Sequence, residues 1–371
     1  MGAPHSDRRP VGVGLVGCGY ATTSRHLPAL ASIGEARAVA VADLDARAVS
    51  DAAGRWSIAR WYASASELVE DPEVEVVGVC VPAAAHADLV LEAIEAGKHV
   101  LVEKPLALSL DDADRIAERA ARSPVEVIVA FNLRWHRLVR QARELVRAGA
   151  IGRVHAVRTV FADPVLDRVG LPPWRLRREL GGGALLDKGV HHFDLWRFLL
   201  DDEVEDVLAL SSGDREDDET VAVIARLRSG CTAEAMLLDS TALQNELVLH
   251  GEDGTLHVDC YRSDGLRLAP RSELPGSPRA RLRRGTELAR QIAANLGEIR
   301  RGGVFNGSYA AEWRHVAAVI RDGEPAGCRV EDGRSALAIA LAAASSASSG
   351  APVRLLEARV VELVPPAEPE P

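Results

Sequence analysis

The feature that most constrains this chain is a glycine turn placed directly behind its first apolar run. Val11–Val16 is followed at once by Gly17-Cys18-Gly19-Tyr20-Ala21-Thr22, and a helix-compatible stretch then continues to Ile33. A strand that feeds a helix through such a turn opens a βαβ unit. The rhythm persists, with further apolar runs at residues 38–42, 74–81, 100–102 and 125–130. Between them, Ser64 with Glu67 and Ser109 with Asp112 have capping-box spacing, Gly34 and Gly97 stand as helix stops, and Ala113, Ile116, Ala117 and Ala120 form one stripe. The pattern predicts an α/β fold whose N-terminal part, residues 11–131, is a doubly wound parallel sheet of Rossmann type covered by helices.

After residue 131 strand-like runs follow one another with only turns between them: 154–161, 220–228, 231–238, and 247–258 broken at 251–254. Consecutive strands joined by turns predict hairpins, so residues 132–364 read as an α+β domain on a mostly antiparallel open sheet. Residues 270–308 begin rich in Arg, Gly, Ser and Pro and become weakly helical, a long excursion open as a cap over the site or as a contact with another subunit. Residues 1–10 and the PPAEPEP tail, 365–371, are expected to be disordered.

With 371 residues and 47% hydrophobic content the chain is long enough for two cores. A net charge of −10 argues against nucleic acid or an anionic membrane as the main partner and suits a small-molecule enzyme. Five scattered cysteines form no CxxC pair, and no stretch approaches the roughly 20 apolar residues of a membrane span, so a reduced, cytoplasmic protein is expected. Of the 44 basic residues only Lys98, Lys104 and Lys188 are lysines. Arginine does not deprotonate and is no compact proton donor, so each lysine is a place to look for chemistry.

In the glycine turn, the first glycine permits the bend, the second lets backbone approach a pyrophosphate, and the following helix presents free N–H groups to it. Asp43 ends the second strand, where a carboxylate binds both ribose hydroxyls of an adenosine. It would repel a 2′-phosphate, and neither Leu44 nor Asp45 supplies a cation, so NAD is favoured over NADP. The alternative is a glycine-rich turn in an ordinary βα unit.

Val102-Glu103-Lys104-Pro105 ends its strand, so Lys104 emerges at the carboxyl edge of the sheet, where ligands of open α/β folds bind. Its plainer reading is a surface lysine ahead of a turn proline. The second signal is Gly181-Gly182-Gly183-Ala184-Leu185-Leu186-Asp187-Lys188-Gly189-Val190-His191-His192-Phe193-Asp194. On a helix entered from this glycine loop, Asp187, His191 and Asp194 share a face, Gly189 leaves room for a flat ring, and Phe193 and Trp196 face the core. An imidazole beside a carboxylate suits proton exchange near neutrality. Adjacent His191 and His192 diverge by about 100° and Lys188 repels a cation, so no metal is expected. His192 reads as a packed or hydrogen-bonded histidine. Lys188 lies within about 60° of His191, either to meet an anionic substrate or as a solvated charge.

The stretches GLVGCGYATTSRHLPAL, AAAHADLVLEAIEAGKHVLVEKPLALS, FNLRW, GGGALLDKGVHHFDL and EPAGCRVEDGRSALAIALAAASSASSG together resemble the Gfo/Idh/MocA oxidoreductases over nearly the whole chain. The resemblance implies Lys104, Asp187 and His191 as the catalytic set, with His191 as proton acceptor and Lys104 holding the reacting hydroxyl. It implies cofactor contacts from Val81, Pro82, His86, Glu103 and Asn132, added to Gly17, Gly19, Tyr20, Ala21, Thr22, Asp43, Leu44 and Lys104. Trp174 and Arg175 fall in a segment that in this family often reaches over the nicotinamide or substrate, and the expected substrate contacts are Lys104, Trp174, Arg175, Asp187, Lys188 and His191. Thr22 departs from the family pattern, standing where a third glycine or alanine is usual.

The expected activity is hydride transfer between NAD(P) and a secondary hydroxyl or ketone of a polyol, sugar or sugar derivative, in a homodimer or homotetramer built through the C-terminal sheet. Two other functions stay open: an NAD-dependent glycosidase that oxidises transiently, and a dinucleotide-binding sensor without catalysis.

Overall fold

β-Branched residues that bury both faces of a strand favour the middle of a parallel sheet, and in a computed structural model Val11–Val16 (β1), buried at every position, is such a strand. The structure describes residues 9–168, 171–274, 276–300, 304–356 and 359–362; most of the expected disordered N-terminus and the whole tail 365–371 lie outside them. The chain forms two units, residues 1–132 with 306–334, and residues 133–305 with 335–371.

In the first unit β1 is joined by Ala36–Ala42 (β2), Arg60–Tyr62 (β3), Val76–Val79 (β4), His99–Glu103 (β5) and Val127–Ala130 (β6), in the order β3-β2-β1-β4-β5-β6. All five pairings are parallel. The order reverses between β1 and β4, the crevice where such sheets bind ligands. Helices Leu27–Ala31 (α1), Ala46–Trp56 (α2), Ala65–Val69 (α3), His86–Glu95 (α4) and Leu110–Ala121 (α5) connect the strands. Ser64 and Ser109 accept the N–H groups of Glu67 and Asp112, as their spacing predicts. Strand β3 is absent from the sequence reading, because three half-exposed residues carry no periodic signal.

The second unit holds Arg137–Arg147 (α6), Val154–Ala162 (β7), Val190–Leu200 (α7), Val204–Ser212 (β8), Thr220–Leu227 (β9), Thr232–Leu238 (β10), Gln244–Gly251 (β11), Gly254–Asp259 (β12), Leu266–Pro270 (β13) and Pro278–Arg300 (α8). Next along the chain come Val304–Asp322 (α9), almost wholly in the first unit, and Val330–Ser349 (α10), which returns to the second. Val353–Leu356 (β14) and Arg359–Glu362 (β15) complete a nine-stranded sheet, β13-β12-β11-β7-β10-β9-β8-β14-β15. Every pair is antiparallel except β7 with β10. Strands β9 and β10 alternate buried and exposed residues, so one face is core and the other open.

Two expectations change. A single division at residue 131 fails to describe the units, because residues 306–334 cluster with the first. Trp313 of α9 explains why: it is fully buried, its indole lying against Gly78 of β4, so the parallel sheet draws part of its core from far downstream. Part of the stretch 270–308 is also held to the sheet of the second unit. Gln291 Nε2 donates to Leu266 O at 2.9 Å and Arg283 donates to Leu268 O at 3.2 Å, so α8 is fastened along the edge strand β13.

Candidate active site

The glycine turn of the first unit has the geometry of a phosphate cradle. Gly17 has φ +93°, and a Cβ there would lie 2.4 Å from Cys80 O, so only glycine fits. At Gly19 a Cβ would meet nothing within 4 Å, which leaves the backbone open to a group approaching the start of the helix. Asp43 sits just past β2 with its carboxylate fixed: Oδ2 accepts Cys18 N–H at 2.6 Å and Oδ1 accepts Asp45 N–H at 2.9 Å. Burial, then the charge of Asp43, pushes the Cys18 thiol up to about 12, so it stays neutral. An open glycine backbone, a helix start and a carboxylate beyond the second strand fit a dinucleotide. Tyr20 and Leu44 are exposed beside this turn, whereas Thr22 is fully buried and its hydroxyl donates to Gly17 O. The third glycine position therefore holds a side chain that staples the turn, not one that faces a ligand.

Several residues assigned to the cofactor are turned inward. His86 is buried with both ring nitrogens against carbonyl oxygens, Nδ1 at 2.8 Å from Pro105 O and Nε2 at 2.9 Å from Val81 O. It ties the two strand-end turns together, leaving Val81 half-buried and Pro82 exposed at their rim. Asn132 donates to Ser308 Oγ at 2.8 Å in the interior. Glu103 Oε1 lies 2.9 Å from His26 Nε2, and its Oε2 accepts the Lys104 N–H at 3.1 Å. Glu103 thus fixes the turn that bears Lys104.

Beneath this turn Glu312 is fully buried, and neither carboxyl oxygen has a hydrogen-bond partner among the described residues. Burial above all, with the charge of Glu103, pushes its pKa well above 4.5. The unfolded chain releases this proton above about pH 4.5 while the folded chain keeps it, so Glu312 lowers stability progressively as pH rises towards the folded value. Glu312→Gln should raise the thermal midpoint at about pH 8, by up to about 1.4 kcal/mol of stability per pH unit above that point, and give no such gain near pH 4. Calorimetry at both pH values checks this; equal effects at the two would contradict it.

In the second unit the Gly181-Gly182-Gly183 run enters the predicted helix, but the first turn, Leu185–Gly189, is π-helical and only Val190–Leu200 is α-helical. The wider turn breaks the simple three-and-four spacing. Asp187 meets Arg175, whose Nη2 donates to Oδ2 at 2.5 Å, and a Cβ on Gly182 would lie 2.1 Å from Arg175 O. The glycine run therefore lets the Pro173–Leu176 turn, with half-buried Trp174, lie directly against it. His191 is 8% exposed, its ring 6.3 Å from that of Phe161. Asp194 does not join the pair: it is fully buried and takes two bonds from Arg134, Nε to Oδ2 at 2.7 Å and Nη2 to Oδ1 at 2.6 Å. His192 stacks on Phe161 and bonds Asn245 Oδ1 at 3.3 Å, and burial brings its pKa down to about 4, a structural imidazole as expected.

Lys188 corrects the sequence reading most sharply. It is only 2% exposed and ion-paired with Asp239 of the same unit, so it is not a solvated charge. Burial lowers its ammonium to about 8. The flat ring against Gly189 is Phe193, 2.9 Å from the position of a Cβ. A residue missed in the sequence is Glu216, buried beside Arg175, Asp187 and Lys188, with burial raising its carboxyl to about 7. It lies in the run Asp214-Arg215-Glu216-Asp217-Asp218-Glu219, which reads as a solvated acidic turn and hides two buried carboxylates, Glu216 and Asp218. Among the described residues no group of three or more His, Cys, Asp or Glu side chains is placed to hold a metal.

Two family profiles match: residues 11–131 fit the oxidoreductase family with an NAD-binding Rossmann fold, and residues 139–257 the GFO/IDH/MocA C-terminal domain. A dTDP-3,4-didehydro-2,6-dideoxy-alpha-D-glucose 3-reductase of Streptomyces violaceoruber is 30% identical over 335 residues, 87% of this chain and 96% of that protein. The chain belongs to the Gfo/Idh/MocA oxidoreductases. Another member of this family, myo-inositol 2-dehydrogenase of Thermotoga maritima, is 29% identical over 357 residues, 93% of this chain and 98% of that protein. In fold this Gfo/Idh/MocA protein is similar to levoglucosan dehydrogenase solved with NADH and L-sorbose, with a TM-score of 0.80 at 22% identity, covering 94% of this chain and 100% of that one. The family match establishes an oxidoreductase with an NAD-binding Rossmann domain. No helix among the described residues is long and apolar enough to cross a membrane.

Proposed function

We propose that this protein transfers a hydride between NAD, bound at the glycine turn and Asp43, and the carbon of a secondary hydroxyl or ketone in a polyol, sugar or sugar derivative. The observation that carries the proposal lies within the first unit: the Gly17–Gly19 turn follows β1 and the Lys104 turn follows β5, so both stand at the carboxyl edge of one parallel sheet. Lys104 donates a hydrogen bond to the reacting oxygen, and His191 accepts or returns its proton. Asp187, held by Arg175, supplies the negative charge that orients the imidazole. Sugars and sugar alcohols are the named substrates of several relatives, which supports that class. Asp43 supports NAD over NADP, since no cation follows it at Leu44 or Asp45. Five free thiols suit the cytoplasm.

The test is a panel of polyols, sugars, amino sugars and sugar acids assayed at the NADH absorbance band with NAD and NADP side by side. Substrate-dependent NADH formation, with NAD preferred by roughly tenfold or more, is expected. Protein that binds NADH yet reduces neither cofactor with any member of the panel would overturn the proposal.

The open face of the second sheet supports a homodimer or homotetramer. Register places Leu208 opposite Ile224, and Leu210 and Met236 opposite Ala222, so these four exposed apolar side chains share one face. Leu210→Asp with Ile224→Asp should reduce the sedimenting mass to that of one chain; a double variant with the parent's mass would rule this interface out.

A further inference from the structure

A buried imidazole whose two nitrogens have different partners holds a defined tautomer, and His26 is one. It is fully buried at the π-helical turn Thr22–His26, with Nε2 at 2.9 Å from Glu103 Oε1 and Nδ1 at 3.1 Å from Trp313 Nε1. The indole nitrogen can only donate. Nδ1 is therefore the acceptor, and the ring's proton sits on Nε2, pointing at Glu103. Burial opposes a second proton, but Cys80 and Glu103 outweigh it and raise the pKa well above 6.5; the neutral form rests on geometry, because the indole N–H, 3.1 Å from Nδ1, would face a second donor if Nδ1 were protonated. The ring is fixed from the sides as well, edge-on to Tyr309 and to Trp313 at centroid distances of 5.5 and 5.8 Å. Glu312 approaches the same ring as a neutral carboxyl.

We propose that Trp313 and His26 are positioning residues for the reaction, acting in series on Glu103 and through it on Lys104. The indole N–H sets the tautomer of His26, His26 holds one carboxylate oxygen of Glu103, and the other oxygen holds the backbone N–H of Lys104. Each bond leaves the next group one orientation, so the backbone of the residue that presents the ammonium is fixed from the core of the unit. No proton needs to move along the series. This rests on the proposed role of Lys104.

That last point makes the test sharp, because glutamine can replace the tautomer without replacing the base. At position 26 its amide N–H can donate to Glu103 and its carbonyl can accept from Trp313, yet it does not titrate. Three variants of the full chain, His26→Leu, His26→Gln and Trp313→Phe, are compared by thermal melting, NADH binding by fluorescence, and steady-state kinetics on the best panel substrate, with myo-inositol and NAD tried first. His26→Leu should lower kcat by roughly tenfold or more and Trp313→Phe by roughly threefold to tenfold, each about one lost hydrogen bond, with NADH affinity within about twofold of the parent. His26→Gln should recover kcat to within about threefold. Independently of any substrate, 15N signals of labelled histidine that vanish in His26→Gln should show the neutral Nε2–H form from about pH 6 to 8. A protonated ring at pH 7, a His26→Gln enzyme as slow as His26→Leu, or parental kcat in folded His26→Leu would each overturn the proposal. Lys104→Met separates this from the underlying assignment: parental turnover there removes the role of Lys104, whereas lost turnover there with parental His26→Leu removes only the series.

Discussion

Lys104→Met should bind NADH as the parent does and turn over about 10²–10⁴-fold more slowly, the range associated with losing a positioned acid–base group. Methionine keeps the length of the stem and removes the ammonium, so the expected loss falls on kcat rather than on folding. The other two lysines are held within the fold. Lys98 Nζ donates to Asp71 O and Val74 O at 3.0 and 2.8 Å, closing two loop carbonyls, and Lys188 is sealed in its pair with Asp239. Each has a structural task within its own unit. NADH fluorescence titration and steady-state rates on the panel substrate check both halves; turnover within twofold of the parent would remove Lys104 from the reacting set.

Asp194→Ala should destabilise the protein by about 3–5 kcal/mol, because it leaves the Arg134 guanidinium buried without its counter-charge. The two bonds of 2.6 and 2.7 Å join the segment before α6 to the middle of α7, the helix that also bears His191. Arg134 further packs over Phe198 at 5.1 Å, so an apolar replacement has a surface to rest on. The double variant Arg134→Met with Asp194→Leu is therefore expected to recover most of the loss, since no charge remains to be buried. Denaturant unfolding of the three proteins measures this. A single variant within about 1 kcal/mol of the parent would show that the pair is not what anchors α7.

Five of the six strands of the parallel sheet, all but β3, were legible because they are short, apolar and separated by helices, and the glycine turn fixed where the chain begins the sheet. Strands β8 and β13 were not, since each mixes polar residues into an alternation that a single chain segment does not distinguish from a loop. In the candidate site several side chains take partners that the spacing does not suggest. Spacing suggested that Asp187, His191 and Asp194 share a face, but Asp194 is taken by the buried Arg134, a pairing set by tertiary packing. His86, Asn132 and Glu103 lie close to the ligand edge in sequence, yet their side chains bond inward to Pro105, Ser308 and His26. Those partners are remote along the chain, Ser308 by 176 residues, and no local pattern reveals them. Glu216 was hidden for the opposite reason, being one carboxylate among six consecutive polar residues.

The discontinuity of the first unit has a consequence for how the protein is made. Trp313 and the rest of residues 306–334 leave the ribosome only after the whole of residues 133–305, so the parallel sheet waits for part of its own interior. At roughly 5–20 residues per second that interval is on the order of 10–30 s, long compared with the collapse of a small domain. During it the face around Gly78 and His26 lacks the helix that will cover it, and the turn bearing Lys104 lacks its last tether. The nascent N-terminal unit is thus a natural client for chaperones that hold exposed apolar surface until residues 306–334 emerge.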